Sequence, residues 1–145
     1  MLRYLHEKPT LSEIRDFFYC TDDEFDVPLS EKVNIEDYTQ KLYTYSDFYL
    51  CCDDDKIVGM CCCYTNRPPD AYISHVCVMG AYQGRGVFGH LLSVLKDYCL
   101  ANGIDNVSLE VGHNNLRARR VYEKYGFVLE SERDHSSILK LTLSE

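Results

Sequence analysis

Apolar and polar positions in this chain recur with two different periods, and each change of period marks an element. Near the start, Leu11, Ile14, Phe17 and Phe18 fall on one helical face. Thr10 and Glu13 precede that stripe at the spacing of a capping box. A second stripe begins after Asn34, with Ile35, Tyr38, Leu42 and Tyr45 on one side. Strand-like runs then follow at Phe48–Cys52 and Lys56–Tyr64, separated by Asp53-Asp54-Asp55, which predicts a hairpin. Asn66-Arg67-Pro68-Pro69-Asp70 predicts a turn, and Ala71 to about Val78 a third strand of this group. Simple alternation puts Tyr72, Ser74, Val76 and Val78 on one face and His75 with Cys77 on the other.

In the second half the order is strand and helix by turns. A glycine-rich segment, 84–89, leads into an amphipathic helix carrying Leu91, Leu92, Leu95, Tyr98 and Cys99 on one face and ending at Asn102-Gly103. Val107–Val111 reads as a strand, Leu116–Tyr125 as a short helix closed by Gly126, and Phe127–Leu129 and Ile138–Leu143 as the last strands. With a short apolar start at Leu2–Leu5, the predicted order is β-α-α-β-β-β-α-β-α-β-β. An antiparallel front half followed by a βαβ crossover is an α/β (α+β) arrangement: a mixed, mostly antiparallel sheet with helices on both faces.

Composition narrows the function. A chain of 145 residues, 46% apolar and 26% charged, suits one globular domain spanning 1–145. The net charge of −8 argues against nucleic acid and against an anionic membrane surface as partners. No apolar stretch approaches the ~18 residues of a membrane span. The opening residues 1–9 carry no signal-peptide core, so the expected location is cytoplasmic. The eight cysteines include Cys61-Cys62-Cys63 inside a strand-like run, and they lack a CxxC pair or a zinc spacing. They read as reduced, buried small hydrophobes with no metal site.

The segment Gln83-Gly84-Arg85-Gly86-Val87-Phe88-Gly89 sits between a strand and a helix. Glycines free backbone N–H groups to turn toward an anion, and a helix N-terminus adds partial positive charge. A pyrophosphate suits such a loop, although a bare strand-to-helix turn uses the same residues. The glycines also spell GxGxxG with Glu110 at the end of the next strand, the dinucleotide fingerprint. The context opposes an oxidoreductase, because some 80 residues precede the loop and only one parallel crossover is available.

The same residues resemble the GNAT superfamily of acetyl-CoA-dependent N-acetyltransferases. Val76-Cys77-Val78 followed by Gln83-Gly84-Arg85-Gly86 is similar to that family's fourth strand and pyrophosphate loop, with Phe88 where a final Gly or Ala is usual. Leu109-Glu110-Val111, then Asn115, Ala118, Tyr122, Glu123, Lys124, Gly126 and Phe127, resemble its fifth strand and the helix after it. The resemblance implies a splay between the fourth and fifth strands. It implies that acetyl-CoA lies along Val76, Cys77 and Val78, over Gln83, Gly84, Arg85, Gly86, Val87, Phe88 and Gly89, and against Asn115 and Tyr122. It makes the Val78 N–H the group that polarises the thioester and Tyr122 the general acid to sulfur.

A base for the ammonium acceptor is not assigned by the resemblance, since many members carry a carboxylate on the fourth strand and this chain does not. His75 and Glu110 are the candidates, with His113 and water behind them. Direct attack in a ternary complex is implied, and a covalent route through Cys77 is the alternative chemistry. The acceptor expected is a primary amine on a small molecule such as an amino sugar, polyamine or amino acid, near Asp22, Asp23, Glu24 and Asp26. The alternatives are a peptide or protein amine, or a non-catalytic acetyl-CoA-binding module. The resemblance leaves room for a homodimer.

Overall fold

The computed structural model describes residues 1–25 and 27–143. In chain order the elements are β1 (Leu2–His6), α1 (Leu11–Cys20), α2 (Leu29–Lys32), α3 (Ile35–Tyr45), β2 (Asp47–Asp53), β3 (Lys56–Arg67), β4 (Asp70–Val78), α4 (Val87–Ala101), β5 (Asn106–Gly112), α5 (Leu116–Lys124), β6 (Val128–Glu132) and β7 (Ser136–Thr142). Short 3₁₀ turns at Asp22–Glu24 and Gly80–Tyr82 complete them. The capping box is present at α1: Thr10 Oγ1 accepts from the Glu13 N–H at 3.1 Å, and the Thr10 N–H donates to Glu13 Oε1 at 2.9 Å. The short α2 carries no periodicity long enough to be read beforehand.

One seven-stranded sheet runs β1-β2-β3-β4-β5-β7-β6, antiparallel everywhere except the β4–β5 pair. This is the expected GNAT-like mixed sheet. Its two faces bury separate cores. Leu91, Leu92, Leu95 and Cys99 of α4 close over Val58, Cys61, Cys63, Val107 and Leu139 on one face. Ile14, Phe17, Phe18 and Leu42 of α1 and α3 close over Phe48, Leu50, Met60 and Cys62 on the other. Successive residues of β3 thus feed opposite cores, which is why its cysteine run is apolar on both sides. Two members of the predicted helical stripes are outside: Leu11 is 37% and Tyr45 67% exposed. Each lies at a helix end, beyond the area the sheet covers.

The simple alternation predicted along β4 is corrected by a bulge. Cys63 pairs with Ile73 but Cys62 pairs with His75, so Ser74 is an extra residue on β4. Parity therefore reverses at Ser74. Ala71 and Ile73 face the α4 side and Tyr72 the other; beyond the bulge Val76 and Val78 face α4, and Cys77 packs into the α1–α3 core. The parallel β4–β5 ladder runs only from Asp70↔Asn106 to Ile73↔Leu109. From there β4 stays with β3 while β5 stays with β7, and the sheet opens between them.

Candidate active site

The opening between β4 and β5 leaves one strand edge without its neighbour. The Met79 N–H donates to the Val58 carbonyl at 2.8 Å, toward β3. Backbone groups of successive strand residues point to opposite edges. Those of Val78 and Val76 therefore point away from β3, into the gap, where the Val78 carbonyl already accepts from Gln83 Nε2 at 2.9 Å. An extended amide-bearing ligand could pair with that edge as a strand would.

A cleft of about 410 Å³ occupies the gap, within the ~300–1,000 Å³ usual for ligand sites. Val76, Cys77 and Val78 form one wall; Asn115 and Tyr122 of α5 form the other. At its end lie Gln83, Gly84, Gly86, Val87 and Phe88. Gly84 and Gly86 have φ of +79° and +75°, the left-handed region that a side chain disfavours. Gly86 is the N-cap of α4, so the first N–H groups of that helix are exposed to a ligand there. The cleft also holds the cation Arg117, missed in the sequence, and Lys124, read there only as part of the helix motif. Their signal was present: 117, 118, 121, 122, 124 and 125 share the helical face that starts at Asn115. A diphosphate end at the glycine loop and a flexible amide arm along β4 fit this donor set, and coenzyme A carries both.

Two residues predicted with the loop stand differently. Arg85 stacks over the Tyr82 ring at 5.2 Å, outside the cleft lining. Gly89 lies within α4, and its missing side chain makes room for the Tyr125 ring. Phe88 meets Tyr122 and Tyr125 edge-on, each at 5.5 Å, so the bulky replacement in the loop pattern braces α5.

Tyr122 lines the cleft while its ring meets Phe127 of the core at 5.9 Å. Burial, with the Cys61 and Cys77 thiols nearby, pushes its pKa well above the ordinary 10, so the hydroxyl keeps its proton. Asn115 serves α5 as N-cap, accepting from the Ala118 N–H at 3.3 Å, while it faces the cleft. Burial pushes the Cys77 thiol up to about 12, which leaves almost no thiolate to act as a nucleophile.

The base candidates are spread along the opposite face of the sheet. His75 is buried among Phe18, Phe25 and Tyr38, with ring centroids 4.7, 5.6 and 5.8 Å away. Desolvation first, and then the Lys32 charge, lower its pKa to about 4. Glu110 is the first β5 residue beyond the ladder, exposed, and accepts from the Ser136 hydroxyl. His113 sits 3.2 Å from Glu132 on the β6 side, away from the gap.

The acidic segment is divided. Asp22 takes the Ser30 N–H at 2.8 Å and the Ser30 hydroxyl at 2.6 Å, and so fastens α2. Asp23 is exposed, and Asp26 lies outside the described residues. Glu24 reaches the cleft and takes the Gly80 N–H at 3.0 Å.

Residues 11–127 match the acetyltransferase (GNAT) family, and the chain belongs to it. Over 43 residues it is 42% identical to YhfO of Bacillus subtilis (strain 168), itself an uncharacterised N-acetyltransferase; the match spans 30% of this chain and 29% of that one. The fold is similar over nearly its whole length to Ard1 from Thermoplasma volcanium, with a TM-score of 0.81, 18% identity, and 98% and 99% of the two chains covered. It is similar too to the PaiA N-acetyltransferase from Thermoplasma acidophilum in complex with coenzyme A, with a TM-score of 0.77, 14% identity and coverage of 97% and 99%. Among the described residues no helix is long and apolar enough to cross a membrane, and no cluster of side chains could hold a metal ion.

Proposed function

We propose that this protein transfers the acetyl group of acetyl-CoA to the primary amine of a small molecule, by direct attack in a ternary complex. The observation that carries the reading is the ladder end at Ile73↔Leu109, which frees the Val76–Val78 edge opposite Asn115 and Tyr122. Acetyl-CoA supplies an activated acyl group as a thioester. The Gly84–Phe88 loop and Arg117 hold its phosphates, and the Val76 backbone with Asn115 holds its amide arm, while the Val78 carbonyl accepts from Gln83 Nε2 at 2.9 Å. The Val78 N–H donates to the carbonyl oxygen where negative charge develops.

Tyr122 donates a hydrogen bond to the departing sulfur. Its raised pKa makes it a donor that steadies the sulfur rather than a group that ionises, since an ordinary thiol titrates near ~8.5. The amine comes from the opposite face, between Glu24 and Glu110. Both carboxylates favour an ammonium, and Glu110, open to water, passes its proton to solvent. A cationic small molecule suits this mouth better than an anionic one.

The test is thiol release from acetyl-CoA with a panel of amino sugars, polyamines, amino acids and short peptides. Turnover with a small amine is the expected result. Binding of CoA without turnover of any amine would identify a non-catalytic module, and turnover confined to peptides a protein-directed enzyme.

A further inference from the structure

The basic side chains of α5 have different partners. Arg119, outside the cleft lining, donates to Glu123 at 3.4 Å and to the Ser137 hydroxyl at 3.1 Å. Arg117 lines the cleft and donates to Gln83 Oε1 at 2.9 Å. Lys124 lines the cleft as well, and among the described residues it is paired with no carboxylate. Its ammonium stands 5.6 Å from the centre of the Tyr125 ring. A cation in the last turn of a helix favours the free carbonyls there. That accounts for a lysine on any face of α5, not for one that lines a cleft. The contacts of α5 give an order along the opening: Arg117 meets Gln83, Tyr122 meets Phe88, and Tyr125 lies against Gly89. The helix thus runs beside the glycine loop into the first turn of α4, and Lys124 stands at the end away from β4. Seven residues at ~1.5 Å each put it about 10 Å beyond Arg117 along the axis.

We propose that Lys124 forms a second phosphate site, past the glycine loop, that takes the 3′-phosphate of coenzyme A. The inference rests on the acetyl-CoA reading above. With the diphosphate at Gly84–Phe88 and the amide arm along β4, the nucleotide is the part of the ligand left to lie toward Lys124 and Tyr125. The charged group of that nucleotide is the phosphate on its ribose. A protein of net charge −8 repels such a polyanion as a whole, so its phosphates need cations close by. Arg117 and Lys124 are the cations of the cleft lining, and Arg117 is bound to the residue that opens the loop. Lys124 is the one left for the further phosphate. An ammonium on a flexible stem suits a terminal phosphate, which it meets as a point charge. The consequence is a choice of acetyl donor. A phosphopantetheine arm carried on a protein has no 3′-phosphate, so this site favours free CoA thioesters over carrier-bound ones.

The test is calorimetric titration of the full chain with CoA and with dephospho-CoA, which lacks the 3′-phosphate. The parent is expected to bind CoA about fivefold more tightly, the worth of one exposed ion pair. Lys124→Met is expected to bind the two ligands equally, having lost affinity for CoA alone. Lys124→Arg keeps the charge and is expected to keep the discrimination. Arg120→Met removes the same charge from an exposed residue one turn away and outside the cleft lining, and it too is expected to keep the discrimination. Phosphorus spectra of bound CoA give a second readout. Lys124→Met is expected to move the monophosphate resonance and leave the diphosphate pair in place. An equal loss for both ligands in Lys124→Met, a loss of discrimination in Arg120→Met as well, or a shift confined to the diphosphate pair would overturn the site. A parent that binds both ligands without discrimination overturns the site alone, whereas a parent that binds neither overturns the acetyl-CoA reading and the site with it.

Discussion

The Tyr125 hydroxyl lies 2.6 Å from where a Cβ on Gly89 would stand, so α4 and α5 meet with a ring laid against bare backbone. Gly89→Ala must push that ring away, into the cleft that Tyr125 also lines. The expected cost is about 1–3 kcal/mol of stability, as for other overpacked contacts. Urea denaturation would measure it, and calorimetry should show weaker CoA binding in the same variant.

Gly86→Glu is expected to abolish CoA binding. At φ +75° any side chain is strained by ~1–2 kcal/mol, and a carboxylate would face the bound phosphates. Gly86→Asn is the control, since asparagine tolerates this region. It should bind more weakly than the parent but measurably. Binding of Gly86→Glu equal to the parent would remove the loop from the site.

Tyr122→Phe is expected to lower kcat by about 10- to 100-fold, the loss of one hydrogen bond to the departing charged sulfur, with little change in the CoA dissociation constant. The ring, packed on Phe88 and Phe127, remains; only the hydroxyl goes. Because burial raises its pKa above the ordinary 10, Tyr122 stays protonated through the usual assay range. Any basic limb of the pH–rate profile should therefore be the same in both proteins. Equal kcat would reduce Tyr122 to a packing residue.

The acidic segment should separate into a structural and a binding carboxylate. Glu24→Gln is expected to raise KM for a cationic amine, with an effect that shrinks as salt screens the charge. Asp22→Asn is expected to lower the melting temperature at neutral pH and leave KM alone. Its bonds to Ser30 hold the folded pKa below the ordinary 3.8. That stabilisation is complete above the ordinary value and is lost as pH falls through the folded one. The melting curves of the two proteins should converge in acid.

Much of the site could be read before folding because its groups are consecutive. Gly84 and Gly86 lie at the start of α4, and Asn115 and Tyr122 lie on one face of α5. Local geometry carries such information, since loop conformation and helical spacing depend on near neighbours. The roles of Gly89 and Glu24 could not be read that way. Gly89 is set by Tyr125, and Glu24 by Gly80, 56 residues away. His75 is the clearest case: its face depends on one extra residue in β4, and a bulge leaves no mark in a hydrophobic pattern.

By itself, then, the sequence determined the order of elements, the apolar faces of α1, α3 and α4, and the glycine turn into α4, all consequences of periodicity and backbone freedom within a few residues. Only the tertiary structure decided where β4 and β5 part, which edge Val76 and Val78 offer, and which carboxylates and rings surround the opening. The physical reason is the Ser74 bulge. It reverses side-chain parity, ends the parallel ladder, and sets Val78 toward α4 and His75 toward Tyr38 in a single step.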